Sequence, residues 1–124
     1  MTDLNTLVQA AEEIAKIGGA YTLNYFKKKI EVISKTDDSP VTIADRETEM
    51  LIRKEIEKRF PNHGIIGEEY GITRPDAAIQ WVLDPIDGTK SFIHGVPFYT
   101  TLIGIMIDKE PIIGVINAPA LDEC

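Results

Sequence analysis

The 124-residue sequence has a single cysteine, Cys124, at its last position. One cysteine excludes a disulfide within the chain, and this position predicts neither a structural nor a catalytic role. Long hydrophobic runs are missing too, since no apolar stretch approaches the roughly 18–20 residues of a membrane span. Residues Met1 to Asn5 are polar and acidic, unlike a secretory signal. We therefore expect a cytoplasmic protein with no membrane partner.

Positive charge is scarce, because 13 Lys and Arg residues stand against 20 Asp and Glu, giving a net charge of −7. An acidic chain of this kind lacks the basic patches of a nucleic-acid-binding protein, and solubility alone accounts for its charge. The content of 44% hydrophobic and 27% charged residues is ordinary for a globular protein. We expect residues 1–124 to form one domain or part of one.

Apolar residues at three- and four-residue spacing predict an amino-terminal helix that begins near Leu4. The pair Gly18–Gly19 is expected to weaken or bend this helix, which then continues over Ala20–Lys29. A short strand is expected at Ile30–Ile33, and a polar loop at Lys35–Pro40.

A second helix is expected from Thr42 to Phe60, with acidic residues at its start and basic residues at its end, as the helix dipole favours. The segment Pro61–Gly64 ends it. The residues expected to face inward are Ile43, Met50, Leu51 and Ile56.

The rest of the chain reads as strands joined by turns. The expected strands are Ile65–Ile66, Trp81–Leu83, Phe98–Ile107 and its hairpin partner Ile112–Ile116, after a turn at Lys109–Pro111. Trp81 and Phe98 are expected in the core. Two helices followed by such strands predict an α+β fold or a layered α-β sandwich, with the helices packed on a mostly antiparallel sheet.

The most informative segment is W-V-L-D-P-I-D-G-T at Trp81–Thr89. An apolar strand ends in two carboxylates, Asp84 and Asp87, which are the hard oxygen ligands that Mg²⁺ prefers. Gly88 frees the backbone after them, and Thr89 is expected to cap a helix whose free N–H groups suit a phosphate. Residue types alone leave open a plain turn in which both carboxylates accept backbone hydrogen bonds.

The D-P-I-D-G-T motif closely resembles the inositol monophosphatase family. S-P-V-T-I-A-D at Ser39–Asp45 and G-E-E at Gly67–Glu69 also match that family, in its order and spacing. The resemblance extends over most of the chain, from about Lys35 to Glu123. It implies an inositol-monophosphatase-like fold of which this chain is the amino-terminal half, because the family's last metal ligand comes from a W-D motif that this sequence lacks.

The resemblance also implies a Mg²⁺ site of two or three ions, in which Mn²⁺ can substitute. The implied ligands are the carboxylates of Glu68, Asp84 and Asp87 and the carbonyl of Ile86. Carboxylates gathered this closely repel one another without a cation, which is a physical argument for the metal.

The implied reaction is hydrolysis of a small phosphate monoester by metal-activated water, and the implied enzyme is sensitive to lithium. Asp45 and the Thr89 hydroxyl would orient the attacking water and help to deprotonate it. The residues implied in substrate binding are Glu68, Asp87, Gly88, Thr89 and Lys90. A solvated lysine remains an alternative for Lys90, and Glu69 is open between contact with the site and exposure to solvent.

Neither histidine has a partner at metal-ligand spacing, so the sequence gives no reason to expect zinc. His63 is expected at a helix end or on the surface, and His94 on the surface near the mouth of the site.

Details at Phe60–Gly71 and Gly88–Ile93 resemble the histidinol-phosphatase branch of the family. Histidinol phosphate is therefore the first expected substrate and inositol monophosphate the second. A homodimer is expected from the resemblance. The alternative is a partner-binding or inactive fragment with a regulatory role. A chain of only these 124 residues would leave Ile113, Val115 and Leu121 poorly covered, and we expect such a chain to self-associate or to be marginally stable.

Overall fold

The computed structural model describes residues 3–26, 32–34 and 40–124. The described part contains three α-helices, seven strands and a short 3₁₀ turn. In chain order they are α1 Leu4–Thr22, β1 Val32–Ser34, β2 Pro40–Thr42, α2 Ile43–Arg59, β3 Gly64–Gly67, β4 Gly71–Thr73, β5 Ile79–Asp87, α3 Thr89–Ile93, β6 Thr100–Ile107, β7 Glu110–Asn117 and the 3₁₀ turn Pro119–Leu121.

Five strands form the main sheet, in the order β4-β3-β5-β6-β7. Only β3 and β5 run parallel, and the other neighbours are antiparallel. The core lies between the inner face of the sheet and the two long helices, where Leu7, Ile14, Ile52, Trp81 and Ile105 are fully buried. The expected α+β sandwich, with two helices on a mostly antiparallel sheet, is confirmed.

Helix α1 begins at Leu4, is capped by Asp3 and presents the expected apolar stripe to the core. The expectation of a bend at Gly18–Gly19 is wrong, because the helix runs through both glycines to Thr22. A Cβ at Gly18 would lie 2.6 Å from Ile52 Cδ1, so a glycine lets α1 approach α2 closely. Residues 23–26 are turns rather than helix, and residues 27–29 lie outside the described part.

Helix α2 matches its predicted bounds to within a residue at each end. Its inward face is only partly as expected, since Ile56 is buried but Met50 is 37% exposed. The face instead buries Ala44, Thr48, Glu49, Ile52, Arg53 and Ile56, including two charged side chains.

The four predicted strands of the main sheet are confirmed, while β2 and β4 were missed. The expected turn at Lys109–Pro111 lies slightly earlier, at Asp108 and Lys109, which both have positive φ angles. Strand β1 ends at Ser34, one residue beyond the end of the predicted strand Ile30–Ile33. Residues 30–31 of that predicted strand and residues 35–39 of the predicted loop lie outside the described part.

Trp81 is fully buried as expected, but Phe98 is 71% exposed and the expectation for it is wrong. Phe98 precedes β6, and its neighbour Tyr99 takes the buried place. The Tyr99 hydroxyl lies 2.8 Å from the Thr22 hydroxyl at the end of α1. This contact ties the first helix to the segment that enters β6.

The outer face of the sheet has no layer over it within the described residues. Ile72 is 61% exposed and Ile116 is 63% exposed there. Val115, on the opposite side of β7, is buried, so the expectation that it is poorly covered is wrong, because alternate residues of a strand face opposite ways. Ile113 packs partly against the core, whereas Leu121 is exposed as expected. None of the described helices is long and apolar enough to span a membrane.

Candidate active site

The parallel pair β3–β5 brings two predicted carboxylates to one edge of the sheet. Gly67 is the Cα partner of Leu83 in this pair. Because both strands run the same way, Glu68, which follows β3, and Asp84, the next residue of β5, lie side by side. Two acidic residues that are sixteen positions apart in the chain therefore become neighbours.

A β-bulge shapes the end of β5. Asp84 pairs with Leu102 and Asp87 with Thr100, so β5 has one residue more than β6 over this interval. The buried hydroxyl of Thr101 donates to the carbonyl of Pro85 at 2.8 Å and holds the bulge in place. A bulge re-aims the side chains that follow it, which sets the direction of Asp87 relative to Asp84.

Ile86 fixes this turn to the rest of the molecule. Its side chain is 2% exposed and belongs to a second hydrophobic cluster with Ala44, Phe92 and Tyr99. Ala44 lies in the first turn of α2 and precedes Asp45. The cluster thus places Asp45 beside the turn that carries Asp84 and Asp87.

The backbone turns sharply at Gly88, which adopts a left-handed conformation with φ 86° and ψ 48°. This conformation costs glycine little, and α3 begins at the next residue. The expected capping role of Thr89 is wrong, because Gly88 occupies the cap position and Thr89 is the first helical residue. The Thr89 hydroxyl instead donates to the Ile86 carbonyl over a long 3.4 Å.

The electrostatics of Asp45 show how closely the acidic residues are gathered. Burial, the largest cause, and repulsion by its neighbours together raise the pKa of the Asp45 carboxyl to about 7. The repelling carboxylates are, in order of effect, those of Glu69, Asp84, Glu49 and Glu68.

The Asp84 carboxyl is affected by nearly the same set of negative charges. Its pKa is raised first by burial and then by the negative charges of Asp87, Glu68 and Glu49. The structure therefore gathers the predicted Glu68, Asp84, Asp87 and Asp45 at one edge of the sheet.

The fit of these residues to a divalent cation can be judged from their chemistry. Among the described residues, no group of three or more His, Cys, Asp or Glu side chains is arranged so that it could hold a metal ion. The donors are nevertheless hard oxygens, which suit Mg²⁺, and their mutual repulsion is what a cation would relieve. The donor set fits the predicted cation in kind and in charge.

The remaining predicted site residues lie around this edge. Lys90 and His94 are exposed, and Glu69 is half-buried. His63 differs from its expected surface role: its Nδ1 accepts a hydrogen bond from Trp81 Nε1 at 3.0 Å, and its ring stacks on Phe60. Burial and, to a smaller extent, the charge of Arg74 lower the pKa of His63. This histidine supports the core.

Sequence reasoning missed two charged residues that lie under the site, Glu49 and Arg53. Glu49 is fully buried and contacts the turn that follows Glu68. The available signal was the four-residue spacing of Asp45, Glu49 and Arg53, which puts all three on one face of α2. By sequence alone, the acidic residues at the start of α2 indicate only a complement to the helix dipole.

A model of the inositol monophosphatase family matches residues 3–124. This chain belongs to the inositol monophosphatase family. Among family members, a histidinol-phosphatase from Chlorobaculum parvum is 47% identical over 117 residues, which cover 94% of this chain and 45% of that protein. The chloroplastic bifunctional phosphatase IMPL2 of Arabidopsis thaliana is 42% identical over 124 residues, covering 98% of this chain and 36% of its own length.

The fold of the family is also shared. A solved inositol monophosphatase structure from Thermotoga maritima superposes with a TM-score of 0.86 at 31% identity, covering 94% of this chain and 45% of that one. The chain thus spans less than half the length of these relatives. Inositol monophosphatase family members are generally metal-dependent.

Proposed function

We propose that this chain forms the amino-terminal part of a Mg²⁺-dependent phosphate monoester hydrolase. The observation that carries the proposal is the gathering of Asp45, Glu68, Asp84 and Asp87 beside the turn at Gly88. Carboxylates next to a sharp strand-to-helix turn suit a metal-assisted phosphate site. The names of the relatives, which are phosphatases, support the same reaction class.

The residues proposed to hold Mg²⁺, as two or three ions or with Mn²⁺ in its place, are Glu68, Asp84, Asp87 and the Ile86 carbonyl. Bound Mg²⁺ would offset the negative charge of the phosphate ester with its own positive charge, and it would make water a better nucleophile. Glu68 follows β3 and Asp84 lies on the adjacent strand β5, so the sheet fixes the spacing of the two residues. The bulge and the Thr101–Pro85 hydrogen bond hold Asp87 in its own direction.

Asp45 and Thr89 are proposed to handle the proton of the attacking water. The ionised Asp45 carboxylate accepts this proton, and a carboxyl group whose pKa lies near neutrality is suited to that exchange. The Thr89 hydroxyl orients the water through its oxygen. Its contact with the Ile86 carbonyl directs the hydroxyl hydrogen away from the water, so an oxygen lone pair faces it.

The phosphate is proposed to lie against the start of α3. The first N–H groups of a helix have no partner within it, which leaves those of Gly88 and Thr89 available to phosphate oxygens. The exposed Lys90 adds positive charge at the edge of the substrate. Glu68 and Asp87 complete the proposed substrate contacts through the cation.

The proposed substrate is histidinol phosphate, ahead of inositol monophosphate. The support is that three of the similar curated proteins are named histidinol-phosphatases, while others are named inositol monophosphatases. A cytoplasmic location and a homodimer belong to the same proposal.

The test is phosphate release from each of the two esters by the protein that carries these residues, in Mg²⁺ and in EDTA. We expect turnover in Mg²⁺ that EDTA abolishes and that lithium inhibits. The variant Asp84→Asn should lose it, whereas Asp76→Asn, an exposed aspartate outside the site, should retain it. Turnover that persists in Asp84→Asn would contradict the proposed site.

The alternative is a partner-binding or inactive role. The apolar residues exposed on the outer face of the sheet support it, because such a face could contact a partner. That role predicts that Asp84→Asn leaves partner binding intact and that neither ester is hydrolysed by the unaltered protein. The same set of assays therefore separates the two functions.

A further inference from the structure

The turn between β3 and β4, residues 68–70, rests on a buried charged pair of α2. Glu49 is fully buried, and its Oε1 accepts a hydrogen bond from the backbone N–H of Glu69 at 3.1 Å. Its Oε2 accepts from the N–H of Tyr70 at 3.0 Å and from Arg53 Nε at 3.0 Å. Both carboxylate oxygens of Glu49 are therefore engaged, by three donors among the described residues.

Arg53 extends this contact to the far side of the hairpin. Its Nη1 donates to the Thr73 hydroxyl at 3.2 Å, and its Nη2 donates to the Gly71 carbonyl. The Arg53 side chain is nearly buried, and its guanidinium also lies 5.9 Å from the centre of the Tyr70 ring. We call Glu49 and Arg53 together the clamp, because they bind the backbone on both sides of the turn.

Gly67 shows how tightly the strand passes over the clamp. A Cβ atom at this position would lie 2.5 Å from Glu49 Oε2 and 2.9 Å from Arg53 Nη2. Any side chain there would displace either the strand or the clamp. Since Gly67 also pairs with Gly71 and Leu83, the backbone on either side of Glu68 is fixed while the Glu68 side chain stays exposed.

Stability alone is a poor reason for such a pair. The loss of hydration for two buried charges offsets most of their attraction, and well-packed apolar replacements for both partners are often neutral or stabilising. The clamp is placed under the single turn that carries Glu68. The position of the clamp and the loss of hydration of its two charges both indicate that it fixes the geometry of this turn.

We propose that the clamp positions the Glu68 carboxylate for the divalent cation, an inference that rests on the proposed function. Glu49 and Arg53 are positioning residues, since the oxygens of Glu49 are engaged by the turn and by Arg53. They act by holding the N–H groups of Glu69 and Tyr70, and with them the direction in which Glu68 leaves β3. Residues that orient metal ligands in this way contribute about 10- to 100-fold to metal affinity.

The first experiment measures the binding of Mn²⁺ alone by calorimetry, for the unaltered chain and for Glu49→Leu/Arg53→Met. We expect the Mn²⁺ dissociation constant to rise about 10-fold or more, while the chain remains folded. The matched control is Glu55→Leu/Arg59→Met, a partly exposed pair at the same spacing on α2, which should leave Mn²⁺ binding unchanged. Should the clamp variant fold poorly, Arg53→Lys keeps the charge but cannot reach Thr73 and Gly71 together, and it should weaken Mn²⁺ binding too.

The second experiment asks whether the clamp acts through Glu68. In a Glu68→Gln background, the clamp substitutions should cause no further loss of Mn²⁺ affinity, because the ligand they position is already gone. A further loss of the same size would overturn the proposal. Equal Mn²⁺ affinity of the unaltered chain and the clamp variant would also overturn the clamp proposal. That outcome would not contradict the proposed function. If the unaltered chain binds no Mn²⁺, the proposed function fails and the clamp proposal fails with it.

Discussion

A carboxyl group buried among other carboxyl groups holds its proton more tightly than one in water, and Asp45 is in this position. Its pKa is about 7, against an ordinary value of 3.8, through burial first and then through repulsion by its acidic neighbours. The folded chain therefore binds more protons than the unfolded chain between these two values. The free energy of unfolding falls as the pH rises through this window.

The variant Asp45→Asn should remove this penalty. In EDTA, we expect its free energy of unfolding to exceed that of the unaltered chain by about 2 kcal/mol at pH 8, with little difference at pH 3. Urea denaturation at both pH values is the measurement. Asp76→Asn, at an exposed position, serves as control, and an equal gain at both pH values would show that ionisation is not the cause.

The Thr89 hydroxyl is a second residue whose role can be isolated. Thr89→Ala in the active protein should lower turnover by about 100-fold, since a group that assists proton transfer contributes on that scale. Affinity for Mn²⁺, measured by calorimetry, should change little. Thr89→Ser retains the hydroxyl and should retain most of the activity, and unchanged turnover in Thr89→Ala would remove this residue from the mechanism.

At the scale of elements, the contact between α1 and α2 explains why a glycine pair does not interrupt a helix. Packing, rather than backbone freedom, accounts for Gly18, because Ile52 lies against it and is fully buried. A glycine costs about 1 kcal/mol in a helix relative to alanine. Close packing of the two helices offsets that cost.

Replacing Gly18 by alanine should therefore destabilise the protein, against the order of helix propensities. We expect a net loss of about 1–2 kcal/mol in the free energy of unfolding, because an extra methyl group overpacks the contact with Ile52. Ile52→Val should restore part of the loss in the double variant. At the exposed position 20, Ala20→Gly reports propensity alone, and a stabilised Gly18→Ala chain would contradict the packing argument.

For the whole molecule, the uncovered face of the sheet is the dominant surface feature. Ile72, Val82, Ile112 and Ile116 are exposed on it, and an apolar patch of this kind favours association. We expect the 124-residue chain to self-associate in sedimentation experiments.

Ile116→Thr should reduce this association with little change in stability, because the side chain is 63% exposed. Val115→Thr, one residue earlier and on the buried face, should instead lower the free energy of unfolding by about 1–3 kcal/mol. A monomeric unaltered chain, or equal effects of the two substitutions, would contradict this account of the two faces.

Most of the fold could be predicted from the sequence, since apolar spacing located α1, α2 and the strands that follow. Two of the errors, at Met50 and Phe98, share a cause. Met50 and Phe98 were expected inside from their type, yet burial depends on which side of an element faces a neighbour. The short strands β2 and β4 escaped detection because a three-residue segment carries too little pattern.

The candidate site, too, was predicted only in part from the sequence. The motif at Trp81–Thr89, with Gly67–Glu69 and Ser39–Asp45, identified the family and the candidate acidic residues. These predictions were possible because the ability to bind a metal depends on residue types and their spacing. Only the tertiary structure decided that these residues share one edge, through the parallel register of β3 and β5 and the burial of Ile86 beside α2. It alone revealed what Glu49 and Arg53 contact, because the four-residue spacing of the pair shows only that they share a face of α2, whereas contacts with a distant turn depend on packing.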